Sequence, residues 1–140
     1  MRKYARKGLS LVLALVLCLG LASAAWAAVD VKDLQAKIQE TASHLTENVQ
    51  EPGVGSISGD WLILGLARSG VEVPEGYYAK YYTAVEKTVI EHQGLLDKAL
   101  ITDNDRVILA LAALGKDARD VAGYDLTLPL GDFELTCKQG

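Results

Sequence analysis

The chain has few of the residues that build zinc sites and disulfides. Its 140 residues include two cysteines, two histidines, one phenylalanine and three prolines. Cys18 lies in an N-terminal apolar run, so Cys137 has no internal disulfide partner once that run is removed. Cys137 is then a small helix residue, or else an intermolecular bridge or a reactive thiol. His44 and His92 fall in separate predicted helices without cysteines at ligand spacing, so we expect no zinc site and no other cofactor.

Positive charge is scarce outside the N-terminus. The four basic residues within residues 1–27 leave ten Lys and Arg against 18 Asp and Glu in the remainder, a net charge of −8. Nucleic-acid-binding domains carry basic patches, so this balance predicts no nucleic-acid partner. It also predicts repulsion from anionic lipid surfaces.

The N-terminal segment has the pattern of a secretory signal peptide. Basic residues between Arg2 and Lys7 precede an apolar run of 13 residues at 9–21, and small residues follow at 22–28. Such a run is shorter than the roughly 20 residues that span a bilayer. We predict that residues 1–27 are a cleaved signal peptide and that the protein is secreted or held at the cell surface, outside the membrane itself. An uncleaved N-terminal anchor is the alternative.

Residues 28–140 are predicted to form an all-α domain. Apolar residues recur every three or four positions from 31 to 49, which indicates one face of a helix over 30–50. Glycines and prolines separate further helices at 59–69, 75–93 and 104–114. A last stretch begins near residue 125, with Pro129 placed as in the first turn of a helix. No segment shows sustained strand alternation.

An internal repeat is the most informative feature of this domain. The segments GDWLILGLARSG (59–70) and NDRVILALAALG (104–115) align without a gap at an offset of 45 residues, with six identities in twelve positions. A period of this length predicts helical-hairpin repeats. Such repeats stabilise each other and usually number at least about three. We therefore expect a truncated array, the alternative being a small bundle that folds alone.

The repeat resembles a known group of proteins. Together with the stretches LITDNDRVILALAALGKD and AGYDLTLPLGDFE, it is similar to bacterial exported proteins with prenyltransferase and squalene-oxidase type repeats. The resemblance covers roughly residues 56–140 and is strongest between Leu100 and Phe133. It implies a partial α/α toroid, as in terpenoid cyclases. It also extends to the helical domain of transcobalamin-like binding proteins, which implies a cobalamin-like small molecule as one possible ligand.

The chemistry of that group does not transfer to this chain. Squalene cyclases protonate their substrate with an acidic D-x-D-D motif, whereas the DND segment at 103–105 is followed by Arg106, which favours ionised carboxylates. Protein prenyltransferases bind zinc through Asp, Cys and His, and Cys137 with His92 does not match that set. Neither activity can be assigned residue by residue.

Two polar residues at each repeat start have a simpler interpretation. Ser58 and Asp103 occupy matching positions and are residue types that favour the N-cap of a helix. Asp60 and Asp105 also match and would lie in the first turn, where a carboxylate complements the helix dipole. Because a unique catalytic site would not recur with the period of the fold, we predict helix capping here, with Arg106 as an ion-pair partner. A catalytic acid cluster is the alternative.

A tyrosine-rich segment, EGYYAKYY at 75–82, is the best candidate for ligand contact. Tyr77 and Tyr81 form one helical stripe, and Tyr78 and Tyr82 form its neighbour. Tyrosines can pack in a core while the hydroxyl stays in water, so the stripe suits a helix interface or a ligand platform. Trp61 starts the preceding predicted helix. If a platform exists, we predict that Trp61, Tyr77 and Tyr81 contact the ligand.

These features together predict an exported, non-catalytic helical-repeat module that binds a ligand or partner at the cell surface. Candidate partners are a cell-wall glycan, a cobalamin-like small molecule or a surface protein. The alternative is an α/α-toroid enzyme, either terpenoid cyclase- or prenyltransferase-like or a secreted polysaccharide-degrading enzyme. Side chains available for the last activity are Tyr81, His92, Asn104 and Arg106.

Overall fold

A computed structural model describes residues 30–55, 57–98, 100–132 and 134. Within these ranges it has four α-helices: α1 Val31–Asn48, α2 Leu62–Ser69, α3 Tyr77–His92 and α4 Thr102–Ala113. A π-helical turn, Ile57–Trp61, precedes α2, and a 3-10 turn, Leu128–Gly131, follows α4. No β-strand occurs in the ranges just given, which confirms the all-α class. The predicted signal segment and Cys137 lie outside them.

The chain divides into two compact units, residues 1–37 and 38–140. Of the first unit the structure describes residues 30–37, which open α1. Asp30 Oδ1 accepts a hydrogen bond from the Lys32 N–H at 2.9 Å and so caps the helix start. Val31 and Leu34, two of the periodic apolar residues, are 65 % and 49 % exposed. Apolar spacing therefore predicted this helix correctly, although these two side chains are not covered.

The core of the second unit is organised by one stripe of α3. Tyr77, Tyr81, Val85 and Val89 recur at every fourth residue and are all buried. This spacing keeps them on one helix face. The stripe that begins with the two tyrosines thus continues into the two valines. The stripe belongs to one apolar cluster with α2 and α4 side chains, chiefly Ile63, Leu66, Val107, Ala110 and Leu111.

The two helices that carry the sequence repeat, α2 and α4, pack against each other. Each is followed by a glycine at the same repeat position, and Gly70 and Gly115 have nearly equal positive φ angles of 66° and 69°. After α4 the Lys116 N–H donates to the Leu111 carbonyl at 2.9 Å, which satisfies a carbonyl at the helix end. Both helices are therefore followed by a glycine with a positive φ angle, which glycine adopts more readily than other residues.

The segment after α4 is held by turns. An isolated antiparallel bridge joins Val121 to Tyr124, and the Leu126 N–H donates to the Ala118 carbonyl at 2.9 Å. Where the sequence places Pro129 in the first turn of a last helix, the described residues form a short 3-10 turn with this proline in its first positions. Among the described residues, none of the helices has the length and apolar character needed to cross a membrane.

Candidate functional site

Asp60 lies where three other segments meet the start of α2. Its side chain is completely buried. Oδ1 accepts a hydrogen bond from the Tyr81 hydroxyl at 2.8 Å. Oδ2 accepts from the Gly55 N–H at 3.0 Å and lies 3.4 Å from Nε of Arg106. The donors come from the connection after α1, from α3 and from α4, so one carboxylate joins four parts of the fold.

Arg106 extends this cluster towards the surface. Its Nη2 donates to Asp103 Oδ1 at 2.6 Å, and both of these side chains are 21 % exposed. The two residues are three apart on α4, a spacing that places side chains on the same face. The predicted ion pair between Arg106 and a helix-start carboxylate is confirmed for Asp103. The second contact of the guanidinium, with the buried Asp60, links the two repeats.

Burial and hydrogen bonding act in opposite directions on Asp60. Removal from water raises the pKa of this carboxyl above its ordinary value. The hydrogen bonds from Tyr81, Gly55 and Arg106, together with the charge of Arg106, oppose that rise without cancelling it. Burial also raises the pKa of Tyr81, and the adjacent Asp60 carboxylate adds to the effect. The tyrosine therefore remains a neutral donor.

The arrangement suits positioning and not proton transfer to a substrate. An ionised carboxylate only accepts hydrogen bonds, and the three partners of Asp60 are all donors. A side chain with no exposed surface also offers a substrate no point of contact. The contacts fix the start of α2 relative to α3 and α4.

Asp60 and its neighbour Trp61 differ in exposure at the end of the π-helical turn. Trp61 has helical torsions, φ −70° and ψ −36°, so the turn continues directly into α2. Asp60 and Gly59 are buried, whereas Ser58 and Trp61 are exposed. π-Helical segments are rare and occur frequently at functional sites. This turn directs a carboxylate into the core and an indole towards solvent.

The structure separates the three aromatic residues predicted to contact a ligand. Tyr77 and Tyr81 are 3 % and 0 % exposed, and their hydroxyls donate to the Val49 carbonyl at 2.7 Å and to Asp60. Both are packing residues in this conformation, which was the other interpretation of the stripe. Trp61 is 48 % exposed and is the member of the three that a ligand could touch.

The predicted helix caps need correction. α4 starts at Thr102, two residues before the predicted start, with Ile101 at the N-cap and no side-chain capping bond. Asp103 and Asp105 therefore both lie in the first turn, where their charge still complements the helix dipole. Ser58 does not cap α2, because the π turn places Trp61 at that N-cap.

Asp60 lies in the first turn of the helical segment, as its repeat position predicts, but that turn is π-helical. Its side chain points into the core and accepts a hydrogen bond from the Gly55 N–H. Matching positions in the two repeats thus have different environments, since Asp60 is buried and Asp105 is partly exposed. Sequence alignment alone equates these two residues.

Asn104 is a structural residue whose role the sequence does not reveal. Its side chain is fully buried. Nδ2 donates to the carbonyls of Gly94 and Leu126 at 2.9 and 3.1 Å, and Oδ1 accepts from the Leu96 N–H at 3.0 Å. One amide therefore ties α4 to the segments that precede and follow it. An asparagine near a helix start suggests a cap, and only the fold supplies these distant partners.

A shallow cleft of about 320 Å³ lies between the second half of α1 and the segment before α3. The Gln39 side chain crosses its edge, donating to the Glu72 carbonyl at 2.9 Å and accepting the Glu72 N–H at 3.0 Å. Five of the seven lining residues are polar, two of them are glutamates, and none is basic. Among the described residues, no group of His, Cys, Asp or Glu is arranged to hold a metal ion.

Comparison with known proteins gives no relative from which a role could be inferred. The chain matches no family model, no curated protein and no solved structure.

Proposed function

We propose that this protein is an exported, non-catalytic helical-repeat module that binds a ligand at the cell surface through the exposed side of α2 around Trp61. One observation carries the proposal: an indole that is 48 % exposed directly follows a carboxylate that is completely buried and held by three donors. Export of the protein is predicted from the signal-peptide pattern of residues 1–27.

A fixed aromatic side chain is well suited to binding. Tryptophan supplies a large contact area with few rotatable bonds, and it is over-represented among residues that dominate binding energies. Anchoring the adjacent backbone lowers the entropy lost when a ligand orders the site. The Asp60 contacts provide such an anchor immediately beside Trp61.

Helical-hairpin repeats remain our proposal for the architecture. Two features support it: the helices that share the sequence repeat pack together, and each is followed by a glycine with the same left-handed conformation. A partial α/α toroid, as the family resemblance implies, is compatible with this pairing.

The enzyme alternative rests on Asp60. A buried carboxyl with a raised pKa beside a charged partner is typical of catalytic sites as well as structural networks. Catalysis would require this side chain to become accessible, whereas it has no exposed surface in the structure. The geometry therefore favours binding by Trp61 over acid chemistry at Asp60.

The proposal is tested by retention of the full chain on intact native cells and on purified cell envelope. We expect the wild type to be retained and Trp61→Ala to lose about tenfold or more in affinity, as for a central aromatic contact. Ile90→Ala is the matched control, because Ile90 is a 55 % exposed hydrophobic residue on α3. Equal retention of the wild type and the Trp61 variant would refute the proposal.

Export is tested separately by measuring the mass of the protein. The 140 residues have a mass of 15.0 kDa. Cleavage near Ala27 should release about 3 kDa, so the protein recovered outside the cells should be lighter by that amount. Recovery of the uncleaved chain exclusively from the cell interior would contradict the predicted export.

A further inference from the structure

Trp61 and Gly65 are both exposed and lie one helical turn apart. The two residues are four apart on a continuous helical segment, so they lie on the same face. Helical side chains lean towards the N-terminus, and a residue at i+4 therefore covers the residue at i. Gly65 has no side chain, and a Cβ placed there would meet no atom within 4 Å. The space above Gly65 is consequently open.

Packing gives no reason for glycine at this position. A glycine inside a helix costs roughly 0.5–1 kcal/mol of stability relative to alanine. The matching residue of the second repeat is Ala110, which is completely buried in the core, so the repeat itself does not require glycine. No neighbour approaches Gly65 closely, and Gly65 has no positive φ that would demand it. A residue that lowers stability without improving the packing is expected at functional sites.

The exposed face around this pair combines polar and apolar groups. Trp61, Gly65 and Arg68 are spaced 4 and 3 residues apart, which places them on one face of the helix, and all three are exposed. Ser58, in the π-helical turn that precedes them, is exposed as well. Sugar rings have matching chemistry, with an apolar face of C–H groups and a rim of hydroxyls.

We propose that Trp61 and Gly65 form a platform on which one ring of an uncharged saccharide stacks, with Ser58 and Arg68 available to its hydroxyls. This inference rests on the proposed binding function and specifies its ligand class. The net charge of −8 outside residues 1–27 disfavours polyanionic sugars and nucleic acids. A wholly apolar ligand would require an enclosing pocket, whereas the platform is open.

The test measures binding of the full chain to neutral cello-, chito- and xylo-hexasaccharides by calorimetry. Trp61→Ala removes the ring, and Gly65→Gln places a side chain over it. We expect each variant to bind at least about tenfold more weakly than the wild type. Thr83→Gln adds the same amide at an exposed position of α3 and should change the affinity less than about twofold.

The fold should survive the blocking substitution. Glutamine is a better helix former than glycine, and a side chain at residue 65 begins in open space. Circular dichroism and a melting curve of Gly65→Gln should therefore match or exceed those of the wild type. Full sugar binding by a folded Gly65→Gln variant would overturn the platform.

Failure of this inference can be told apart from failure of the proposed function. Cell retention that depends on Trp61, persists in excess hexasaccharide and disappears after protease treatment of the cells would identify a protein partner. That result would overturn the saccharide class and leave the binding function in place. Cell retention unaffected by Trp61→Ala would overturn both.

Discussion

The hydroxyl of Tyr81 donates to Asp60 Oδ1 at 2.8 Å, and both side chains are completely buried. The contact joins the middle of the fold's main core stripe to the turn that starts the first repeat helix. This contact between residues 21 positions apart therefore holds the backbone next to Trp61 in place.

Removal of this hydroxyl should destabilise the protein. Tyr81→Phe keeps the ring and leaves one oxygen of Asp60 without its donor, which should lower the free energy of unfolding by about 1–3 kcal/mol. Urea titration at pH 7 measures the change. Tyr78→Phe is the control, because Tyr78 is only partly buried on the same helix and should change stability by at most about 0.5 kcal/mol. Equal stability of the two variants would show that the Tyr81 contact contributes nothing.

Asp60 and Asp117 should give opposite dependences of stability on pH. The folded-state pKa of Asp60 is raised, so its contribution is complete below the ordinary pKa of 3.8 and declines as pH rises through the raised value. The stability of the wild type relative to Asp60→Asn should therefore fall with increasing pH across that window. Hydrogen bonds from Arg119 lower the pKa of Asp117 to about 2, so its contribution is present above 3.8 and lost as pH falls towards 2.

Unfolding curves measured at a series of pH values between 2 and 7 distinguish the contributions of Asp60 and Asp117 to stability, because this range spans the ordinary aspartate pKa of roughly 3.9. Asp117 is fully exposed, so added salt should weaken its effect and leave that of Asp60 largely unchanged. A relative stability that increases with pH for Asp60 would contradict the burial argument.

Loss of the Asn104 amide should weaken the junction around α4. Asn104→Ala leaves the Gly94 and Leu126 carbonyls and the Leu96 N–H without their partner, and a cost of about 2–4 kcal/mol is expected for such buried groups. Thr102→Ala, at an exposed position of the same helix, should have little effect. Thermal melting followed by circular dichroism measures both. A wild-type melting temperature for the Asn104 variant would rule out a structural role.

Alanine should have opposite effects at two nearby glycines. At Gly65 the new methyl group meets no atom and the helix gains a better former, so stability should rise by about 0.5–1 kcal/mol. At Gly70 the φ angle of 66° strains any residue with a Cβ, so stability should fall by about 1 kcal/mol. Gly115→Ala should resemble Gly70→Ala because its φ is 69°. Chemical denaturation of the three variants gives the signs directly.

The two repeats show which structural features an alignment of their sequences predicts correctly. The alignment correctly paired Gly70 with Gly115, because the end of a helix imposes a local backbone requirement. It also paired Asp60 with Asp105, yet one is buried among three donors and the other is partly exposed. A side chain's partners depend on neighbours that the repeat unit does not contain, so equal positions need not have equal roles.

The sequence by itself determined the helical class, the helix that carries the tyrosine stripe and an ion pair between Arg106 and a carboxylate at the helix start, because each depends on periodicity or spacing within one segment. The tertiary structure alone decided that Tyr77 and Tyr81 face the core while Trp61 faces solvent, and that Asn104 joins distant backbone groups. Burial and long-range hydrogen bonds arise when separate segments pack together. No local pattern encodes which segments those will be.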